Sequence, residues 1–171
     1  MSEASAKTVF TPAERLAQNR WGNPAVWDRA RIERLIWDHI PDQHRARVEA
    51  LGYFFLATSN ARGECDCSFK GGGPGLVRIL DPRRLAFPDF DGNHAFMSLG
   101  NLLENPHVGM LFIDFHDGGR LRVNGRAAIH DSGEALGWFT NARRVVVVDI
   151  EQVVANCARH VPRLVPAEVA P

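Results

Sequence analysis

The first fifty residues carry apolar positions at helical spacing. Thr11-Pro12-Ala13-Glu14 offers an N-cap hydroxyl, a proline at the first helical position and a reciprocal glutamate, which together predict a helix start. Apolar residues from Val26 to Ile40 recur at the helical period, so a second amphipathic helix is expected to run up to Pro41. A third, short helix is predicted from an Asp42 cap to Gly52.

From residue 53 onward the period changes to that of short strands. Along 120–130, Leu121 and Val123 alternate with Arg120 and Arg122, so one face is expected to be core and the other solvated. Small helices are predicted only at 96–104 and 132–139, and this scarcity of helices favours a closed antiparallel barrel over a βαβ fold. Seven runs bounded by Gly, Pro, Asp or Asn are strand candidates: 53–58, 64–68, 76–80, 84–90, 108–115, 120–130 and 144–150.

Composition and charge narrow the function classes. A chain of 171 residues with 45% apolar and 23% charged residues is expected to form one globular domain, with room for a helical extension. Twenty basic residues balance twenty acidic ones, so no overall field attracts nucleic acid or an anionic membrane. Without an apolar signal segment or a run of about 20 apolar residues, we expect a cytoplasmic protein with no membrane partner.

The three cysteines give no indication of a metal site or a disulfide framework. Cys65 and Cys67 lie two residues apart and Cys157 is distant, which is not the paired spacing of structural zinc ligands. An odd number of cysteines in a chain without an export signal also argues against disulfides. No metal is therefore predicted.

The most unusual stretch is Ser68-Phe-Lys-Gly-Gly-Gly-Pro-Gly75, in which glycines follow a lysine at a strand end. Glycine lets backbone N–H groups approach an anion or a flat ring closely. A wide barrel corner with a solvated lysine is an equally good interpretation. The stretch is no P-loop, because the lysine precedes the glycines and no Gly-Lys-Ser/Thr follows.

Two further features have both a ligand-binding and a structural interpretation. Asn93 and Ser98 flank a predicted helix start, where free N–H groups favour a phosphate, although both residues also suit simple capping. Arg120 and Arg122 share the polar face of a strand, which is more often solvated surface than a ligand site. His160 is a ligand contact or, as the default, a packing residue near the C-terminus.

Several segments, in this order and spacing, resemble the pyridoxamine 5′-phosphate oxidase-related FMN-binding proteins over roughly residues 10–165. The resemblance implies a mainly β (α+β) fold, namely a six-stranded antiparallel split β-barrel with an N-terminal helical extension. It also implies a homodimer that binds FMN in two clefts at the subunit interface. The expected divisions are an extension over 1–52, a flavin-binding domain over 53–165 and a tail over 166–171. The segments that carry the resemblance are 55–58, 68–75, 85–93, 98–101, 105–115, 121–126 and 156–163.

The resemblance also implies which residues bind the cofactor. The strand segment before the glycines would follow the flavin ring and reach toward its phosphate, and the helix start would hold the phosphate end. Two strand arginines would come from the partner subunit, and a C-terminal segment would close the cleft. In this order the implied residues are Ser68, Phe69, Lys70, Gly71 and Gly72; Asn93, Ser98 and Asn101; Arg120 and Arg122; His160 and Arg163.

Departures from the family pattern bear on activity. Met97-Ser98 stands where the oxidases carry an Arg-Lys pair, and Lys70 stands where related proteins often have arginine, so modest FMN affinity is expected. The leading hypothesis is an FMN-dependent oxidoreductase acting on a small organic substrate, with no catalytic residue identified. A non-catalytic flavin- or haem-binding module is the alternative, with His94, His116 or His160 as axial ligand. The third hypothesis is a dimeric structural protein with an empty cleft.

Overall fold

The computed structural model describes residues 9–164, whose contacts divide the chain into two units between Ile36 and Trp37. The domain boundary expected after residue 52 stays a prediction, and the expected tail lies outside the described residues. No helix within residues 9–164 is long and apolar enough to cross a membrane.

The first unit is helical. Helix α1 (Pro12–Trp21) begins as predicted: the Thr11 hydroxyl accepts a hydrogen bond from the Glu14 amide, and the Glu14 carboxylate accepts one from the Thr11 amide. The predicted second helix is split, since a 3-10 turn at Pro24–Val26 precedes α2 (Arg29–Leu35). The cause is Asp28, whose carboxylate accepts from the Arg31 amide at 2.8 Å and starts a new helix there.

The second unit contains an antiparallel sheet with two flanking helices. The strand β1 (Ile36–Trp37) straddles the division, and all seven strands predicted from the sequence follow it. The elements are, in chain order, α3 (Asp42–Ala50), β2 (Tyr53–Ser59), β3 (Cys65–Gly71), β4 (Arg78–Asp81), β5 (Arg84–Asp89), α4 (Met97–Glu104), β6 (His107–Ile113), β7 (Arg120–His130), a 3-10 helix (Glu134–Trp138) and β8 (Arg144–Asn156).

Sheet order places the strands in a single hydrogen-bonded path, β3-β2-β6-β7-β8-β5-β4. Beside the six strands that the resemblance implied, the structure therefore has the short strand β4 in the path and the two-residue β1 outside it. A register shift between Asn124 and Gly125 bends the long β7–β8 pair. Gly125 is required there, because a Cβ would lie 2.2 Å from the Asp149 carbonyl oxygen. The mainly β class with flanking helices is confirmed.

The larger core lies against one face of this sheet, and a smaller cluster of Ala86, Val145 and Ala135 lies on the other face of β5 and β8. Phe54 is fully buried and packs edge-on against Phe87 with ring centroids 5.0 Å apart. Leu121 and Val123 are buried as their alternation predicts. Because β2 contributes Phe54 and Leu56 to the core, the register of β3 against β2 decides which side chains of β3 share that face.

Helix α3 covers the edge strand β4. Arg45 donates to the Ile79 carbonyl at 2.9 Å, and Glu49 accepts from the Ile79 amide at 3.2 Å, so both backbone groups at this edge position are satisfied. Asp42 was predicted to be the N-cap of this helix. In the structure the N-cap is Pro41, which makes no side-chain capping hydrogen bond, and Asp42 lies in the first turn. Its charge there still favours the positive end of the helix.

Candidate functional site: a cleft between β3 and α4

A cleft of about 340 Å³ opens between β3, the β5–α4 connection and the first turn of α4. Its volume falls within the range of sites that take small organic ligands, about 300–1,000 Å³. Six of the residues implied by the resemblance line it: Ser68, Phe69, Lys70, Gly71, Asn93 and Ser98.

Alternation along β3 directs three polar side chains toward Ser98 of α4. Asp66, Ser68 and Lys70 share one face of the strand, and Ser98, only 6% exposed, lies against that face. The Ser98 hydroxyl is 3.0 Å from the Ser68 hydroxyl, 3.1 Å from an Asp66 carboxylate oxygen and 3.5 Å from the Lys70 ammonium. We call these four residues the Ser98 cluster.

Helix α4 begins at the cleft without a side-chain cap. Its N-cap residue, Phe96, has a left-handed backbone with φ 51°, and no side chain in the described part of the chain caps the first turn. The Asn93 side chain is already engaged locally, since its Oδ1 accepts a hydrogen bond from the Ala95 backbone amide at 3.0 Å. The helix N-terminus therefore presents N–H groups and a positive partial charge at the cleft, an arrangement suited to anions.

The backbone entering α4 is strained. His94 and Phe96 both have positive φ, of 59° and 51°, which L-residues other than glycine adopt at a cost of about 1–2 kcal/mol each. The Arg144 guanidinium lies over the Phe96 ring, 4.9 Å from its centroid. Such strain often occurs where a backbone is held in place for ligand binding.

The glycines after Lys70 form a backbone corner. The amides of Gly72 and Gly73 both donate to the Gly52 carbonyl, at 3.0 and 3.1 Å, so these N–H groups point away from any ligand. A Cβ on Gly52 would lie 2.7 Å from the backbone of Gly73, which itself has φ 84°. Gly72 and Gly73 therefore form the kind of backbone corner that was one of the two interpretations of this stretch, whereas Gly71 lines the cleft.

Asn101 lies one turn beyond Ser98 and outside the cleft lining. Its amide donates to the hydroxyl of the buried Thr58 at 3.0 Å, which ties α4 to β2. The structure therefore gives Asn101 a role in placing the helix. Direct contact between Asn101 and a cofactor stays a prediction.

The cleft also has acidic walls. Asp89 pairs with Arg144 and Asp91 with Arg143, both at 2.9 Å. The hydrogen bond and charge of Arg143 hold the pKa of Asp91 below its usual value. Asp66, by contrast, forms no ion pair with any Lys or Arg among residues 9–164. Within that described range Lys70 likewise pairs with no carboxylate.

The remaining implied residues lie elsewhere. The Arg120 guanidinium donates to the Cys157 carbonyl, Arg122 donates to the Asn156 side chain at 3.0 Å, and Arg163 donates to the His116 carbonyl at 2.8 Å. We call Arg120, Arg122 and Arg163 the arginine surface. None of its members lines the cleft, and none pairs with a carboxylate within the part of the chain that the structure describes. His160, three residues before Arg163 in the sequence, is exposed.

Three aromatic rings, those of Tyr53, Phe69 and Phe115, stack along neighbouring strands of the sheet. Tyr53 stacks on Phe69 with centroids 5.8 Å apart and on Phe115 at 6.2 Å. The Tyr53 hydroxyl donates to the Ile113 carbonyl at 2.8 Å, and burial raises the pKa of the phenol. Phe69 remains 62% exposed and lines the cleft.

Asp66 is the site residue that the sequence interpretation missed. An acidic residue contradicts the expectation for an anion site, so charge alone does not point to it. The available signal was the spacing Asp66-x-Ser68-x-Lys70, which places all three side chains on one face of a strand. Among residues 9–164 no cluster of His, Cys, Asp and Glu suits a metal ion.

Comparison with known proteins indicates the relatives of this chain. The sequence profile of the pyridoxamine 5′-phosphate oxidase family matches residues 40–170. A candidate pyridoxamine 5′-phosphate oxidase from Lactobacillus delbrueckii is 22% identical, with a TM-score of 0.56 over 70% of this chain and 96% of its own. HupZ from group A Streptococcus is 18% identical, with a TM-score of 0.53 over 69% of this chain and 99% of its own. Among proteins with curated functions, none matches the sequence.

Proposed function

Because the chain belongs to the pyridoxamine 5′-phosphate oxidase family, we propose that it binds FMN in the cleft between β3 and α4. We further propose that it acts as an oxidoreductase on a small organic substrate. The observation that carries the proposal is the meeting of Lys70, Ser68 and Ser98 with the uncapped start of α4 in one cleft.

The residues at this end of the cleft fit a phosphate group. Lys70 supplies a positive charge that forms no ion pair with a carboxylate in the described part of the chain, and the first turn of α4 supplies N–H donors. Ser68 and Ser98 add hydroxyls at the same place. The donors of a helix start and a lysine are those that phosphates accept best.

The neighbouring residues fit a flat ring. The Phe69 ring packs closely over Gly71, where a Cβ would lie only 2.7 Å from a ring carbon. Phe69 offers an exposed aromatic face beside it. Aromatic and glycine-lined surfaces of this kind suit the stacking of a planar heterocycle.

The arginine surface supports a homodimer. A single cleft offers one unpaired cation, which is little for a phosphate that carries up to two negative charges. We place Arg120 and Arg122 of a second copy at the cleft of the first, where their guanidiniums add the missing charge. In a two-fold symmetric dimer, each chain would contribute its arginines to the partner's cleft and receive the partner's arginines at its own.

When bound, FMN would supply hydride or electron transfer with the substrate. The chain itself binds the cofactor, orients it and places positive charge beside it. The cleft walls would limit access of water to the bound cofactor. No side chain in the cleft is assigned a proton-transfer role.

A haem-binding module is the second candidate function, because His94 is the histidine that lines the cleft among the three considered as axial ligands. A Soret band in the purified protein, lost in His94→Ala, would favour this alternative.

Titration with FMN tests the proposal. Flavin fluorescence should change on addition of the protein, and Ser68→Ala should weaken the affinity by more than about twofold. Ser132→Ala, in an exposed loop outside the cleft, is the matched control and should bind as the unaltered protein does. A colourless protein that leaves FMN fluorescence and absorbance unchanged would contradict FMN binding, and sedimentation as a monomer would contradict the dimer.

A further inference from the structure

Asp66 places a carboxylate within the part of the cleft that the proposed function assigns to the phosphate. Its oxygen accepts from the Ser98 hydroxyl at 3.1 Å, so the residue competes directly for a donor that an anionic ligand would use. We infer that Asp66 acts as an internal competitor for the Ser98 hydroxyl and thereby lowers the affinity of the cleft for phosphate-bearing ligands. This inference rests on the proposed function.

The chemistry of the four groups fixes the direction of the hydrogen bonds in the Ser98 cluster. An ammonium only donates, an ionised carboxylate only accepts, and a serine hydroxyl has one proton. Ser98 therefore donates to Asp66 and accepts from Lys70 and Ser68. In this arrangement Ser98 has no proton left for a phosphate oxygen.

Charge compensation separates Asp66 from the other acidic residues of the cleft. Asp89 and Asp91 each pair with an arginine, so their charges are largely neutralised. Asp66 accepts from the Ser98 hydroxyl and forms no ion pair with a lysine or arginine within the described part of the chain. An anion entering beside Ser98 would therefore meet a carboxylate at close range that no arginine holds.

Anion binding requires the Ser98 hydroxyl to turn from Asp66 to the ligand. The carboxylate then loses its donor and faces a like charge, and both effects weaken binding. A ligand without the phosphate bears neither cost. Asp66 thus reduces the ratio of FMN affinity to riboflavin affinity, because it weakens the binding of FMN alone.

Asp66→Asn tests this role, because asparagine keeps the shape and removes the charge. FMN should bind about tenfold more tightly to the variant, whereas riboflavin affinity should stay within about twofold. Glu64→Gln removes the same charge from an exposed position outside the cleft and should change neither affinity. In a Ser98→Ala background, the gain from Asp66→Asn should shrink, since the two residues act through one hydrogen bond.

Each alternative outcome contradicts the inference. An FMN affinity that is unchanged or lower in Asp66→Asn overturns it, and so does an equal gain for riboflavin, which would indicate a general change in the cleft. If FMN binds the unaltered protein without any gain in the variant, the proposed function stands and only the role of Asp66 fails. If neither protein binds FMN, both fail. Should Asp66→Asn not fold, Asp66→Ser also removes the charge and is expected to give the same gain.

Discussion

The Ser98 cluster and the arginine surface differ in how their charges are neutralised. In the cluster, one ammonium and one carboxylate contact the same hydroxyl at 3.5 and 3.1 Å. On the arginine surface, guanidiniums are held by carbonyl and amide oxygens, and no carboxylate within the described residues pairs with them. One region is a shaped pocket with little net charge, and the other is a charged surface without a pocket.

This difference explains why the proposed function needs two copies of the chain. A shaped pocket positions a ligand, but a phosphate also needs more positive charge than Lys70 supplies. The arginines retain their full charge because only neutral oxygens hold them. If a two-fold interface brought the arginine surface of one copy to the Ser98 cluster of the other, each cleft would gain the positive charge that a phosphate needs.

Lys70→Ala is the substitution with the largest expected effect on the cleft. Loss of a charged donor to a phosphate costs about 1.5–3 kcal/mol, so FMN affinity should fall roughly ten- to a hundredfold. Riboflavin affinity should change little, since the ring does not need this charge. The measurement is fluorescence titration with both flavins, and Arg62→Ala, whose guanidinium pairs with Glu64 outside the cleft, is the control. Equal losses for both flavins would remove Lys70 from the phosphate.

Arg122→Ala tests the other region. If a second copy delivers this guanidinium to the cleft, FMN affinity should fall about tenfold, because a charged hydrogen bond at the low end of that energy range is lost while the fold is kept. Arg126→Ala is a close control, since Arg126 lies on the same face of β7 and bonds to His107 instead. An identical response of the two variants would contradict the assignment of Arg122.

Phe69→Ala should have a smaller effect, on ring binding alone. Removal of an exposed aromatic face that stacks on a flat ligand costs about 0.5–1.5 kcal/mol, so both FMN and riboflavin should bind a few-fold more weakly. Leu103→Ala, at an apolar position 81% exposed on α4, is the control and should not alter either affinity. A loss confined to FMN would place Phe69 at the phosphate instead.

Asp117→Asn should affect stability alone, and only slightly. Hydrogen bonds from Arg47 and from the Gly119 amide lower the pKa of Asp117 to about 2. Because the folded pKa is depressed, this stabilisation is present above about pH 4 and lost as the pH falls toward 2. Urea midpoints of the unaltered protein and the variant should therefore differ at pH 6 and converge near pH 2.

The controls for this prediction are independent of the cleft. Asp131→Asn, in an exposed loop, should shift the midpoint less than Asp117→Asn does at pH 6. FMN affinity at pH 7 should be the same in all three proteins. A difference between Asp117→Asn and the unaltered protein that persists at pH 2 would show that Asp117 acts through something other than its charge.

Local signals account for most of the fold that the sequence predicted. The Thr11–Glu14 capping box and the alternation of β7 each involve neighbours in sequence, and both are confirmed. The prediction was weaker where non-local pairing decides. Strand β8 continues past Ile150 through the polar Glu151 and Gln152, because β7 supplies a partner as far as Asn156. Similarly, the helix predicted from Val26 up to Pro41 begins only at Arg29, because Asp28 caps it there, and it ends at Leu35 because Ile36–Trp37 form the strand β1.

The site was predictable only in part. Ser68, Lys70 and Ser98 line one cleft, and that they bind a cofactor stays a prediction. Asp66 escaped notice because an acidic side chain at an anion site runs against simple charge matching. The place of Arg120 and Arg122 could not be derived, since one chain does not specify contacts with a second copy.

A mixture of two defective variants tests most directly the claim that two copies build one FMN site. Lys70→Ala and Arg122→Ala are unfolded, refolded together in equal amounts and titrated with FMN. If each site takes Lys70 from one chain and Arg122 from the other, about one quarter of the sites regain the unaltered affinity through mixed dimers. If both residues acted within a single chain, the mixture would bind no better than the two variants do separately, and the account would be contradicted.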